Sequence, residues 1–271
     1  MSLTVAQKEN QNGFPKAGEL IELQGAHELE ASDRALMNLL YRHAFISGCL
    51  TTPGQVWAVD LNELRAISSH NSNDRIIDSL ERLMRIVVRV VYREDGREEV
   101  LLTHLFDFFK LPKKRADGLI RFSIPRVLAP VLSRSTHWGR IKAEIVCALT
   151  SKYAIQLYEL IQLRANLDRC VEVFSINEFR ERMNVPPTKL LRGADFVRCV
   201  IEPALLEVNG LSDNGVQIEL RRKHPKAPIH EVAVTWWAKE GDAYRSAVNE
   251  RNRSKIGRMA RLKGTVEAST V

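Results

Sequence analysis

The sequence offers little on which catalytic chemistry could be built. Its four cysteines, Cys49, Cys147, Cys170 and Cys199, stand far apart, with no C-x-x-C pair and no cysteine–histidine ligand spacing. This argues against a structural zinc site and a secreted disulfide framework, and predicts reduced thiols in a cytoplasmic protein. No glycine is followed by lysine, so a G-x-x-x-x-G-K phosphate loop is missing, as are G-x-S-x-G and H-E-x-x-H. No two of the seven histidines stand one residue apart, which removes the metal-binding pair of a rolling-circle nickase. Long apolar runs are absent too: nothing approaches the roughly 18–20 residues that span a bilayer, and the start, MSLTVAQKENQNGF, lacks an apolar signal core. The expectation is a non-enzymatic chain with no catalytic residue, metal ligand, cofactor or membrane partner.

What is present is length, a core and charge. The 271 residues favour two small domains, and a 45% hydrophobic content lets each bury a core. The formal net charge of +7 is unevenly spread. Residues 1–30 carry two bases against five acids, whereas residues 239–271 carry eight bases against four acids. A basic tail on a basic body, poor in apolar residues, points to a polyanion and to nucleic acid before membrane.

One pattern occurs twice. Periodicity predicts a helix from Asp33 to Ile46, started by Ser32 or Asp33, then a loop over Gly48–Gly54 and a short helix over Leu61–Ile67. A turn cluster at 68–73 precedes a helix to Arg85 with Ile76, Ile77, Leu80, Leu83 and Met84 inward. The β-branched run Ile86–Tyr92, the Asp95-Gly96 turn and Val100–Phe106 then read as a hairpin. Downstream, Arg140–Leu167 reads as one long helix, and Ser175-Ile-Asn-Glu178 as a capping box opening a short helix stopped by Asn184. Thr188 is expected to cap a third helix, kinked or broken after Glu202 by Pro203. Two strands follow, Val216–Arg222 and His230–Trp236. Helix, helix, turn, helix and hairpin is the winged-helix plan. The expected fold is α+β: two tandem winged-helix domains at 31–138 and 139–238. They are flanked by an acidic, partly disordered extension (1–30) and a basic tail (239–271).

In the second copy Lys189, Arg192, Asp195 and Arg198 form an outward stripe on the last helix. Arginine can fork onto guanine and lysine can serve guanine or phosphate in the major groove; the alternative is a solvated helix face. Thr188, with Arg221, Arg222, Lys223 and Lys226 at the hairpin, would hold the phosphate backbone, unless those bases merely keep an edge strand soluble. Lys113, Lys114 and Arg115 form a further basic loop. The first copy exposes Asp74, Arg75, Asp78, Glu81, Arg82 and Arg85 and an acid-rich turn, which suits backbone or protein contacts better than base reading. Its β-branched hairpin could pair with a second copy of itself. Of Trp236 and Trp237, at least one is expected in the core.

Ser151-Lys-Tyr-Ala-Ile-Gln-Leu-Tyr-Glu-Leu160, and the run from Asp195 to Asn209 with Leu211-Ser-Asp213 after it, resemble a known family. These segments are similar to the replication initiators of iteron-containing, theta-replicating plasmids (the RepE-type family), over roughly residues 30–238. The resemblance implies two winged-helix domains of common ancestry, with monomers on direct repeats at an origin assisting melting of an AT-rich stretch. It also implies dimers, formed through the first domain, on an inverted repeat that represses the protein's own gene. The host replication initiator and replicative helicase would be recruited. Lys189, Arg192, Asp195 and Arg198 would then be the major-groove readers, Asp195 accepting from cytosine N4 or orienting a neighbouring arginine. The rivals are a repressor without origin activity, an enzyme acting on nucleic acid and a protein-interaction scaffold.

Overall fold

The computed structural model describes residues 13–67, 73–112, 118–165, 167 and 169–265. It divides into two compact units, Met1–Cys147 and Ala148–Val271.

The first unit opens with β1 (Phe14–Ala17) and α1 (Gly18–Ile21), followed by α2 (Ala31–Ile46), β2 (Val56–Asp60), α3 (Leu61–Ile67) and α4 (Asn73–Arg85). The hairpin β3 (Val88–Glu94) and β4 (Arg97–Thr103) turns through Asp95 and Gly96, both at positive φ as an Asp-Gly turn requires. β5 (Phe108–Lys110), β6 (Leu119–Ser123), α5 (Leu128–Arg134), β7 (Trp138–Ile141) and α6 (Ala143–Ala148) complete the sequence. Of the turn cluster expected at 68–73, residues 68–72 lie outside the described residues and Asn73 opens α4.

Three features of this unit depart from expectation. The N-terminal residues from Phe14 onward belong to the fold: β1 pairs antiparallel with β7, and Phe14, Leu20, Ile21 and Leu29 are buried. Beside the expected two-stranded hairpin, β2 pairs with β6 in a separate three-stranded sheet, completed by β5, that the sequence pattern did not reveal. Trp57, Phe109 and Phe122 of that sheet cluster with Phe106, Trp57 stacked on Phe122 and Phe106 edge-on to it. Arg82, expected on the exposed face of α4, points back instead. Its guanidinium donates to both carboxylate oxygens of buried Asp33 at 2.9 and 2.7 Å, and Asp33 also accepts the Glu30 N–H at 2.9 Å. A bidentate pair with a backbone donor on the remaining lone pair is the geometry that lets a buried carboxylate persist.

The second unit runs α7 (Lys152–Arg164), β8 (Val171–Ser175), α8 (Ile176–Arg182), α9 (Gly193–Phe196), a π-helical segment (Val197–Ile201) and α10 (Glu202–Leu211). β9 (Asn214–Arg222), β10 (Ile229–Ala238), α11 (Gly241–Asn252) and α12 (Arg258–Leu262) follow. β8, which the sequence pattern did not reveal, pairs with β10 to give the order β8-β10-β9. Phe174, Phe179 and Phe196 join this sheet to α8 and α9.

The long helix expected over 140–167 is interrupted: β7 occupies its start, and α6 and α7 are separated at Leu149–Ser151. The break has a partner. Glu207, buried on α10, accepts from the N–H and hydroxyl of Thr150 at 2.6 and 2.5 Å and from the Ser151 N–H at 3.1 Å. Ser151 in turn caps α7 by accepting from Tyr153 and Ala154. Downstream, Ser175 accepts the Glu178 N–H to open α8, and Asn184 closes that helix at φ 53°.

Pro203 neither breaks nor ends the last helix, which runs unbroken from Gly193 to Leu211. A proline ring clashes with the carbonyl four residues before it, here that of Cys199, and has no N–H to donate. Widening of the preceding turn to π geometry accommodates both constraints.

Replacing Glu207 with alanine strands three donors at the head of α7. We expect the second unit to lose about 3 kcal/mol, roughly one per bond. Chemical denaturation followed by Trp236 and Trp237 fluorescence checks it, and an unchanged midpoint would contradict the role assigned to this carboxylate.

Candidate nucleic-acid interface

Two groups of exposed basic residues in the second unit lie at the turn and helix entrance around α9 and at the tip of the β9–β10 hairpin. Thr188 does not cap a helix. Residues 186–192 form a turn closed by the Lys189 N–H on the Pro186 carbonyl, and helical geometry begins only at Gly193, with Arg192 at the N-cap. Thr188 and Lys189 are therefore exposed on a loop, and Arg192 is exposed at the helix entrance. Gly193 lets this entrance approach the sheet, since a Cβ there would lie 3.3 Å from Ile229 Cδ1. One turn on, Arg198 is 73% exposed and donates to Asp195 Oδ1 at 3.0 Å. Asp195 therefore has an arginine as its hydrogen-bond partner within the same helix. The expected stripe is thus a turn plus the first part of a helix.

The loop is held from behind by a residue the sequence reading passed over. Arg180 on α8 donates to the carbonyls of Leu190 at 2.8 Å and Lys189 at 2.6 Å, with its guanidinium 5.1 Å from the centre of the Phe196 ring. Burial lowers its pKa below the usual arginine value. No pattern betrays such a residue, because an arginine in a short polar helix looks like any solvated one.

At the hairpin, Lys223, His224 and Lys226 are exposed in the turn. Arg222 Nη1 donates to the Ala227 carbonyl at 2.5 Å, and Arg221 lies 3.3 Å from Glu219 and 3.8 Å from Glu231. The tip therefore offers Lys223 and Lys226 outward, while the two arginines brace the turn and the strands. Lys113, Lys114 and Arg115 lie outside the described residues.

The basic tail is a correction. It was expected as a charged tail, but α11 and α12 fold onto α10, and four of its bases, Lys239, Arg251, Arg258 and Arg261, turn inward, while Arg245, Lys255 and Lys263 stay exposed. Lys239 Nζ donates to the Asn209 and Ser212 carbonyls, and Arg251 to Leu211 O and Asp213 at 2.9 Å each. Arg258, 3% exposed, donates to the carbonyls of Ala148, Glu250, Arg251 and Arg253 at 3.1–3.2 Å. Arg261 grips Glu250 at 2.6 Å, and Leu262 sits so close over Gly210 that a Cβ there would lie 2.3 Å from it. Trp236 is buried, and half-exposed Trp237 covers Gly215. A charge count cannot tell a base that caps carbonyls from one offered to phosphate.

The comparisons with known proteins agree with this architecture. The first winged-helix domain of the initiator replication protein family matches residues 16–162, and the second winged-helix domain matches residues 175–236. The chain belongs to the initiator replication protein family. It is built of that family's two tandem winged-helix domains, the α+β plan expected from the repeated pattern. A crystal structure of Pi initiator protein in complex with iteron DNA is similar in fold, with a TM-score of 0.62 at 15% identity. The match covers 86% of this chain and all of that one. No curated protein matches the chain. No helix among the described residues is long and apolar enough to cross a membrane.

Two predictions follow from the folded tail. Truncation after Trp237 should destabilise the second unit by about 3–5 kcal/mol, because it uncovers the end of α10 and strips its last carbonyls of donors. A truncated chain that melts like the full one would restore the charged-arm reading. The second concerns Lys239, whose pKa burial lowers from 10.5 to about 8. Between those values the folded state has released a proton that the unfolded state still holds, so stability should rise with pH across that window. The stability of the native chain minus that of Lys239→Met, measured at intervals from pH 8 to 10.5, should therefore increase; a flat difference contradicts the assignment.

Proposed function

We propose that this member of the initiator family binds double-stranded DNA in a sequence-specific way at repeated origin sites, as a monomer, and assists melting of adjacent DNA. The observation that carries the reading is the exposed basic turn and helix entrance of the second unit, Lys189, Arg192 and Arg198, within a family of replication initiators. A helix entered through a firmly held turn presents its N-terminal residues to base edges in the major groove. There Arg192 and Arg198 have the reach and fork for guanine O6 and N7, and Asp195 fixes the latter's direction. Thr188, Lys223 and Lys226 would follow the phosphate backbone and set register rather than sequence. That Pi initiator protein was crystallised with iteron DNA supports direct repeats as the target.

The second state in this reading is a dimer formed through the first unit, bound to an inverted repeat and repressing the protein's own gene. What supports it is the β3–β4 hairpin. Val91 and Val100 lie opposite each other and are both exposed, with Leu102 62% exposed two residues beyond Val100, and the hairpin pairs with no other named strand. An apolar face on such a ribbon is suited to cover by a second copy. The proposal includes no nuclease or ATPase of its own, so opening and loading would fall to the host initiator and replicative helicase. A repressor without origin activity remains the nearest rival, distinguished by the number and orientation of its sites.

Selection from a random duplex library should recover one asymmetric site of about two major-groove turns bound by a monomer. On it, Arg192→Ala or Arg198→Ala should cost about 1–3 kcal/mol of specific binding while leaving the melting temperature unchanged. Recovery of a palindrome bound only by dimers would favour the repressor. Undiminished discrimination between cognate and scrambled duplex in both variants would remove these arginines as readers.

A further inference from the structure

Between the two basic residues of the reading turn sits a leucine with no structural reason to be outside. Leu191 is 75% exposed, and among the large hydrophobic side chains of the described residues only Ile256 is more so. A single exposed leucine is by itself ordinary on a protein surface. What sets this one apart is how its backbone is held. Its neighbour Leu190 is held at φ 55°, a left-handed conformation that costs a side-chain-bearing residue roughly 1–2 kcal/mol. Strain of that kind persists only where the surroundings over-determine the backbone. Here they do: Arg180 binds the carbonyls of Lys189 and Leu190, the Lys189 N–H closes on Pro186, and the Phe196 N–H takes the Arg192 carbonyl. The turn is fixed at both ends, and what it fixes is an apolar side chain pointing to solvent between Lys189 and Arg192.

We infer that Leu191 is a specificity-determining residue that reads the 5-methyl group of a thymine in the major groove, and that Arg180 is the positioning residue that presents it. The inference rests on the proposed DNA-reading function and names one of its contacts. If Lys189 and Arg192 approach base edges or phosphates, Leu191 loses its water in the same step. A polar base edge opposite it would be dehydrated with nothing in exchange, at a cost comparable to a lost hydrogen bond. Among the four bases, thymine alone offers the major groove a methyl group, and apolar side chains are its usual partners. The same leucine placed against cytosine, adenine or guanine would act as a penalty, so one residue supplies both attraction to the right base and rejection of the wrong ones.

The test uses the full chain and the duplex site recovered by selection, with each thymine replaced singly by deoxyuridine, which removes the methyl group and leaves pairing intact. For the native chain, loss of the methyl at one thymine should weaken binding about fourfold, the value of one buried methyl-sized group. Leu191→Ala should bind the thymine and deoxyuridine duplexes equally, with an unchanged melting temperature because the side chain is exposed. Arg180→Gln keeps Leu191 but releases the turn. It should also lose the discrimination and should speed hydrogen exchange at residues 189–191, a readout independent of DNA. A Leu191→Ala chain that still distinguishes the two duplexes overturns the assignment of the methyl contact. Arg180→Gln with discrimination intact overturns the positioning role. A native chain that selects a site but is indifferent to every methyl overturns this inference and leaves the proposed function standing, whereas a native chain that selects no site removes both.

Discussion

The second unit depends on a carboxylate placed where a helix had to be interrupted. Without Glu207, the apolar periodicity from Ile145 to Ile161 would favour one helix running on across Leu149–Ser151. Burying a carboxylate costs several kcal/mol unless its lone pairs are taken up. Glu207 meets that condition by accepting two backbone N–H groups and a hydroxyl from Thr150 and Ser151, donors that exist only because the helix has stopped. Break and carboxylate thus justify each other. Because Glu207 belongs to α10, and α10 continues the helix that begins at Gly193, the start of α7 and that helix become one body. Arg258 closes the same junction from the tail by donating to the Ala148 carbonyl.

Upstream of that body the problem is different: a short turn must hold its shape without a core of its own. Arg180 does this from α8 with two carbonyl bonds and a ring contact, using the planar fork of arginine in a way lysine could not match. Downstream, Pro203 and the π-helical segment set how far the helix rotates between Arg198 and its anchor at Glu207. A recognition element needs its side chains held within a fraction of an ångström and a few tens of degrees, and that precision comes from the supporting residues more than from those that touch the partner.

What was legible in the sequence is what is decided locally. The inner face of α4, the Asp95-Gly96 turn, the Ser175 N-cap and the stop at Asn184 all follow from patterns a few residues long. What was not legible depends on partners far away in the chain. β1 reads as a short polar extension until β7 is there to pair with it, and β8 becomes a strand only beside β10. Charge is the least readable of all. Arg82, Arg258 and Arg261 look like surface bases, yet each is bound to a carboxylate or a set of carbonyls in its own unit. Of the expected interface, Lys189, Arg192 and Arg198 are exposed, because helix and turn residues opposite an apolar face have nowhere else to point.

The two copies of the winged-helix plan have diverged in the part that plan leaves optional. In the second, the hairpin is built into a three-stranded sheet by β8, which fixes its tip as a rigid basic projection. In the first, the strand in the corresponding place, β2, pairs with β6 instead, and the hairpin, bridged at Arg89 by Gln24 and buried on one face through Val88 and Val90, keeps acids at its turn and Val91, Val100 and Leu102 exposed on the other face. A tip with acids repels phosphate, and an apolar ribbon left out of a larger sheet carries a standing cost in exposed area. A protein that used both copies to grip DNA would have reason to avoid each of these. A protein in which one copy reads DNA and the other recognises its own kind would have reason to keep both, since the repulsion and the exposed area then act against the wrong partner and in favour of the right one.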